Sequence, residues 1–125
     1  KNKRLQIRSS GKLVRDYLYV DDAVRAYYMI MDKMIHNNKK KIFIYNVGSK
    51  DNLSVIKLVR LILSLMKKNN LKPNILNKSK QELKFQKLND NKIRRELGWR
   101  QKFSLTTGLR KTIDWYKKNH SFFKG

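Results

Sequence analysis

Apolar positions along this chain change period several times, and each change marks an element. Leu5 and Ile7 alternate with polar neighbours, the two-residue period of a strand, and residues 14–20, Val-Arg-Asp-Tyr-Leu-Tyr-Val, make a β-rich stretch. Asp21 and Asp22 follow directly. Carboxylates at a helix start accept from free backbone N–H groups and complement the helix dipole, so the pattern predicts a helix over 21–35 with these two at its cap and first turn. Ala23, Tyr27, Ile30, Met31 and Met34 fall on one side of it, flanked by Val24, Tyr28 and Ile35, while Arg25, Asp32 and Lys33 stay outside. So wide a stripe predicts a well-buried helix.

A polar loop over 36–41 leads to a second predicted strand, 42–47, which Gly48 and a turn through Asp51 and Asn52 bring to an end. Ser54 stands where a cap belongs, ahead of a helix predicted over 55–68. There Val55, Leu58, Val59, Ile62, Leu65 and Met66 form the apolar stripe, and Lys57, Arg60, Ser64 and Lys67 the opposite one. Residues 73–76 suit a short strand and 83–88 a further extended piece. Asp90 is placed to cap a short helix running to Leu97, and Gly98 ends it in the left-handed conformation that glycine adopts cheaply. The last predicted helix, 105–118, is capped by Ser104 and aligns Leu105, Leu109, Ile113 and Tyr116. The fold class is α/β, with mixed short strands and helices. Without an internal repeat or a Pro- or Gly-rich linker, residues 1–125 are expected to form a single unit.

Composition then excludes several classes. The longest apolar run is six residues, 26–31, where a membrane span needs about 20, so no membrane association is expected. The lack of cysteine removes disulfides, thiol nucleophiles and Cys-based zinc sites, and is compatible with a cytoplasmic location. Lys and Arg number 31 against nine acids, a formal charge of +22. Lys supplies 22 of these cations, scattered along the chain with clusters only at 39–41 and 94–95, and Lys, Asn and Ile all use AT-rich codons. Readers of phosphate and guanine concentrate Arg, whose fork matches both. Compositional drift therefore accounts for the basicity better than a specific nucleic-acid surface; a free-standing basic nucleic-acid-binding module is the rival reading. The first residue is Lys1 and the chain enters as if in mid-strand, so a piece of a longer protein is expected; no signal-peptide pattern is present.

Residues 15–23, Arg-Asp-Tyr-Leu-Tyr-Val-Asp-Asp-Ala, resemble the strand-to-helix motif of the NAD-dependent epimerase/dehydratase family, the extended short-chain dehydrogenases that act on nucleotide sugars. Three further stretches follow in that family's order. They are Tyr-Asn-Val-Gly-Ser at 45–49 with Leu-Ser-Val at 53–55; Leu88 with Lys-Ile-Arg-Arg-Glu-Leu-Gly-Trp at 92–99; and Phe-Ser-Leu at 103–105 with Gly-Leu-Arg-Lys-Thr-Ile-Asp-Trp-Tyr at 108–116. The resemblance runs from about Ile7 to Lys118 and is greatest to nucleotide-sugar 4,6-dehydratases of the CDP-glucose or GDP-mannose type and their epimerase-like relatives. It implies the carboxyl-terminal portion of a Rossmann-type enzyme: the last elements flanking the Rossmann sheet and much of the smaller domain that holds the nucleotide sugar, without the Rossmann nucleotide-binding half. The complete enzyme would use NAD(P) to oxidise the sugar at C4. It would then eliminate water across C5 and C6 or return hydride to the other face, as a cytoplasmic homodimer serving polysaccharide biosynthesis.

The family's Gly-rich turn, where backbone N–H groups meet a pyrophosphate at a helix end, is formed by none of the five glycines. Its catalytic Tyr and Lys, four residues apart with Ser or Thr upstream, have no counterpart; Tyr116 has a lysine nearby, but in the segment resembling the terminal helix. This segment is accordingly expected to bind no NAD(P), to be inactive alone and to have the missing Rossmann part as its partner. The resemblance gives Arg15 contact with the nucleotide-sugar phosphates; the alternative is a pair with a nearby carboxylate such as Asp16. Asp16 and Asp21 are expected to serve structure, one by bonding backbone or Arg15, the other by capping the helix. Tyr17 and Tyr19 read as packed strand residues, and Trp99 and Trp115 as packing anchors at helix ends. Glu82 and Gln86 lie where relatives contact the nucleotide with a basic residue. His36 and His120 stand in polar surroundings and suggest no metal site, and Thr107 replaces the Glu expected in the terminal helix's capping box.

Overall fold

The computed structural model describes residues 5–37, 42–79 and 82–123. In chain order these form β1 (Gln6–Ile7), β2 (Val14–Asp16), α1 (Val20–Ile35), β3 (Asn52–Ser54), α2 (Val55–Leu65), β4 (Asn74–Ile75), α3 (Asn91–Leu97), α4 (Leu105–Lys118) and a closing 3-10 turn, His120–Phe123. β2 pairs antiparallel with β3, Arg15 opposite Leu53 and Asp16 opposite Asn52. β1 pairs in parallel with β4, Ile7 beside Ile75, and α2 lies in the crossover that a parallel pair requires. On its other edge β2 holds the 84–86 segment: the Val14 N–H donates to the Lys84 carbonyl at 2.9 Å, and the Gln86 N–H to the Val14 carbonyl at 3.1 Å. The extended piece expected over 83–88 is thus reduced to a single bridge, Val14 to Phe85.

β2 ends at Asp16, short of the expected Val20; the Tyr17 N–H still reaches the Asp51 carbonyl, in register with the β2–β3 ladder, at 3.4 Å, and α1 begins at Val20. The helix starts one residue earlier than its two carboxylates suggest. Tyr19 is the N-cap residue, its carbonyl accepting from Asp22 and Ala23, so Asp21 sits in the first turn and does not cap. The buried side of α1 also differs from the predicted stripe. Asp22 and Ala26 are buried, and Met29 and Ile30 pack with Ala26 against Ile93 and Trp99, whereas Tyr27, Met31 and Met34 are 73%, 48% and 54% exposed. A small residue lets the backbone approach an indole closely, so the Ala26 side makes the contact, and the broader apolar face has no element over it among the described residues.

Residues 42–47 form no strand. Their exposure alternates as a strand's would, Phe43, Tyr45 and Val47 half-buried with Ile42 and Ile44 exposed, but no ladder partner lies beside them among the described residues. Side chains anchor them instead: Lys92 Nζ donates to the Ile44 carbonyl at 3.0 Å and Lys33 Nζ to the Tyr45 hydroxyl at 3.0 Å.

Two expected caps act differently. Ser54 occupies the N-cap of α2 without a side-chain bond, because the first free N–H groups are taken by backbone, Val55 donating to Leu13 and Ile56 to Gly11. Asp90 pairs with Arg94 Nε at 3.0 Å, leaving the Asn91 N–H to Asn89 Oδ1. Ser104 does cap α4, accepting from the Thr107 N–H at 3.2 Å, and Thr107 Oγ1 closes on the same oxygen at 2.9 Å. Gly98 ends α3 at φ 68°, as expected. α2 ends at Leu65, short of the expected Lys68; Val55, Leu58, Val59, Ile62 and Leu65 of its predicted stripe are half-buried, Lys57, Arg60 and Ser64 are exposed, and Leu63 beside the stripe is buried. In α4, Leu105, Leu109 and Ile113 are half-buried, but Tyr116 is exposed.

Candidate functional site

Arg15 lies at the centre of the β2–β3 ladder, and backbone carbonyls hold its guanidinium out from that ladder. Nη1 donates to its neighbour Val14 at 2.9 Å and across the chain to Leu83 at 2.8 Å; Nη2 donates to Glu82 Oε2 at 3.0 Å. The carboxylate partner is therefore Glu82 and not Asp16. The Arg15 side chain is 22% exposed and that of Glu82 46%, so the pair sits at the rim of the molecule with its guanidinium reachable from solvent. Beside it, burial pushes the Tyr17 hydroxyl above its usual value, with the positive charge of Arg15 working in the opposite direction.

Asp16 bonds backbone, the role expected of it. Oδ1 accepts from the Ser49 N–H at 2.7 Å and Oδ2 from the Leu88 N–H at 3.2 Å, which ties the 48–49 turn and the strand-like segment to β2. Gly48 makes this possible: a Cβ there would stand 2.9 Å from the Leu88 carbonyl oxygen and 3.1 Å from Asp16 Oδ2. Opposite Asp16, Asn52 Oδ1 is buried without a hydrogen-bond donor among the described residues. Tyr17 and Tyr19 are half-buried, and Tyr19 meets Phe103 edge-on at 5.2 Å. Burial raises the Tyr19 hydroxyl's pKa, and the charge and hydrogen bond of Asp21 raise it further.

Asp22, read from sequence only as a carboxylate at the helix start, is a buried anchor in the first turn of α1. Fully buried, it accepts from the backbone N–H groups of Lys102 (2.9 Å) and Phe103 (3.0 Å) and pairs with Arg25 Nη1 at 2.6 Å. Its own carbonyl accepts from Trp99 Nε1 at 3.1 Å, so Trp99, fully buried, is the packing anchor expected. Trp115 is not: it is 52% exposed, meets Tyr116 edge-on, and with Tyr19, Asp21, Lys111 and Lys118 lines a surface hollow of about 660 Å³. Lys33, Tyr45 and Glu96 form a second polar cluster. Tyr45 donates to Glu96 Oε2 at 2.8 Å and Lys33 Nζ reaches the same oxygen at 3.1 Å; the bonds to Tyr45 and to each other raise the Lys33 pKa and lower that of Glu96.

Among the described residues no group of three or more His, Cys, Asp or Glu is placed to hold a metal ion, and His36 pairs with Asp32 in its own helix. No helix is long and apolar enough to cross a membrane. Among the described glycines, Gly11 lies against Ile56, Gly48 against Leu88 and Asp16, and Gly108 against Tyr19, while Gly98 closes the C-terminus of α3.

The chain is a small α/β unit of helices and short strands, and the comparisons match it to part of the Rossmann-type epimerases and dehydratases. The family model for GDP-mannose 4,6 dehydratase matches residues 1–112. The chain is 31% identical to a probable dTDP-glucose 4,6-dehydratase of Sinorhizobium fredii, over 94% of this chain and 34% of that protein, and 32% identical to the dTDP-glucose 4,6-dehydratase of Haemophilus influenzae, over 95% and 37%. Among solved structures, UDP-glucose 4-epimerase of Thermotoga maritima with UDP-glucose matches with a TM-score of 0.80 at 29% identity, covering 94% of this chain and 36% of that one. dTDP-glucose 4,6-dehydratase of Bacillus anthracis in complex with NAD matches with a TM-score of 0.74 at 26% identity, over 96% and 36%. The chain belongs to the GDP-mannose 4,6-dehydratase family of NAD-dependent epimerases and dehydratases. It spans about a third of the length of the relatives it matches.

Proposed function

We propose that this chain is the nucleotide-sugar-binding part of an NAD-dependent 4,6-dehydratase or epimerase, and that Arg15 binds the sugar nucleotide's diphosphate. The observation that carries this reading is the guanidinium of Arg15: fixed by the Val14 and Leu83 carbonyls, solvent-reachable, and set in the Arg-Asp-Tyr-Leu-Tyr-Val segment at the end of a strand. Two carbonyl bonds fix the plane of the fork, and a planar fork suits a diphosphate better than a point charge does. Asp16 keeps β2 in place beneath it through Ser49 and Leu88. Relatives that the chain resembles are dTDP-glucose 4,6-dehydratases, and neighbouring folds hold UDP-glucose or NAD; these support the substrate class.

In this reading NAD(P) and the proton-transferring residues belong to polypeptide beyond the 125 residues, so the chain alone binds sugar nucleotide but not NAD and turns over neither. Cytoplasmic location and a homodimeric complete enzyme are part of the same proposal. Calorimetric titration of the purified chain tests it. Heat is expected with dTDP-glucose, UDP-glucose or GDP-mannose and none with NAD; saturable NAD binding would contradict it.

A further inference from the structure

Within residues 52–89 the chain carries one acidic side chain, Glu82, in a protein of formal charge +22, and that carboxylate rests on Arg15. Its neighbours in sequence are basic: Lys78, Lys84 and Lys87. Chance pairing of a rare anion with any of the many nearby lysines would leave Arg15 to solvent. Instead Glu82 Oε2 meets Nη2 at 3.0 Å while the Leu83 carbonyl next to it takes Nη1 at 2.8 Å, so two consecutive residues occupy both ends of the fork.

We propose that Glu82 is an internal competitor for the anion site at Arg15: it holds the guanidinium in position when the site is empty and gives way when a diphosphate arrives. This rests on the reading of Arg15 as the diphosphate ligand. The magnitudes favour exchange. With Glu82 46% exposed and Arg15 22% exposed, the pair is a rim ion pair of the kind worth little to stability, whereas a diphosphate brings more charge and several terminal oxygens to Nη2. Only Nη2 must change partner, because the Val14 and Leu83 carbonyls keep Nη1 fixed throughout. A single carboxylate thereby lowers affinity by a common factor for every anion that uses Nη2, without displacing the arginine.

The test is titration of the full chain with inorganic pyrophosphate and, separately, with dTDP. Glu82→Gln keeps the shape and removes the charge; it is expected to tighten binding about 2-fold to 5-fold, the worth of an exposed ion pair. Asp114→Asn, on the exposed face of α4, makes the same change of net charge elsewhere. It is expected to leave affinity unchanged, and an equal gain there would show a long-range charge effect and overturn the proposal. The gain must also vanish in the Arg15→Gln/Glu82→Gln double variant. If Arg15→Gln weakens binding but Glu82→Gln has no effect, the competitor falls and the diphosphate reading stands; if Arg15→Gln has no effect on either ligand, both fall.

Discussion

Buried without solvent contact, Asp22 joins α1 to the 99–103 segment through the Lys102 and Phe103 N–H groups and neutralises Arg25. Asp22→Asn keeps the volume but removes the charge and puts a donor where two N–H groups already point, so it is expected to cost about 2 to 3 kcal/mol in urea unfolding. A loss below about 0.5 kcal/mol would show that the carboxylate is dispensable. The Lys33–Tyr45–Glu96 cluster is a milder latch. Glu96 is depressed below its ordinary 4.5, so its contribution is complete above that value and lost as pH falls through the depressed one. Lys33 is raised above 10.5, so its contribution is complete below that value and lost as pH climbs past it. The NMR titration midpoint of Glu96 is expected below 4.5 and to return towards it in Tyr45→Phe; an unmoved midpoint would contradict the hydrogen-bond assignment. Arg15 and Asp16 were legible as candidates because their nine-residue motif is local. Arg15's partner was not, because Glu82 lies 67 positions away and local spacing does not encode which carboxylate reaches it.

At the scale of elements, helices were the readable part. Ser104 and the left-handed Gly98 are local signals, and each acts where the sequence puts it. The faces were less readable. α1 is apolar over more than half its circumference, so periodicity alone could not choose between the Tyr27–Met31–Met34 side and the Asp22–Ala26 side that packs on Trp99. The 42–47 run reads as a strand by composition, but a strand exists only with a neighbour to pair with. Gly108 sets the approach of α4 to the start of α1: a Cβ there would lie 2.7 Å from the Tyr19 Cβ. Gly108→Ala should therefore destabilise by about 1 to 2 kcal/mol, even though alanine gains about 1 kcal/mol of helix propensity elsewhere. Thermal melting of this variant checks it, and a raised Tm would contradict the packing described.

For the molecule as a whole, charge and exposed apolar surface act together. Val24, Tyr27, Tyr28, Met31 and Met34 lie open along α1, and +22 of formal charge repels itself. The isolated chain should bind a hydrophobic dye such as ANS in its folded state and melt at a higher temperature as salt is added; dye exclusion with a salt-independent Tm would contradict this. The α/β class was readable from alternating periods and the family from four ordered motifs. The wide apolar face of α1 was equally plain, but not what would lie against it, since the partner surface is not written in these residues. The central claim is that Arg15 receives a diphosphate, and the most direct measurement is nitrogen-15 NMR of the labelled chain titrated with dTDP. The Arg15 guanidinium resonances are expected to shift saturably, with Arg15→Ala weakening binding about 10-fold to 100-fold. Saturable binding that leaves the Arg15 resonances unmoved and survives Arg15→Ala would contradict it.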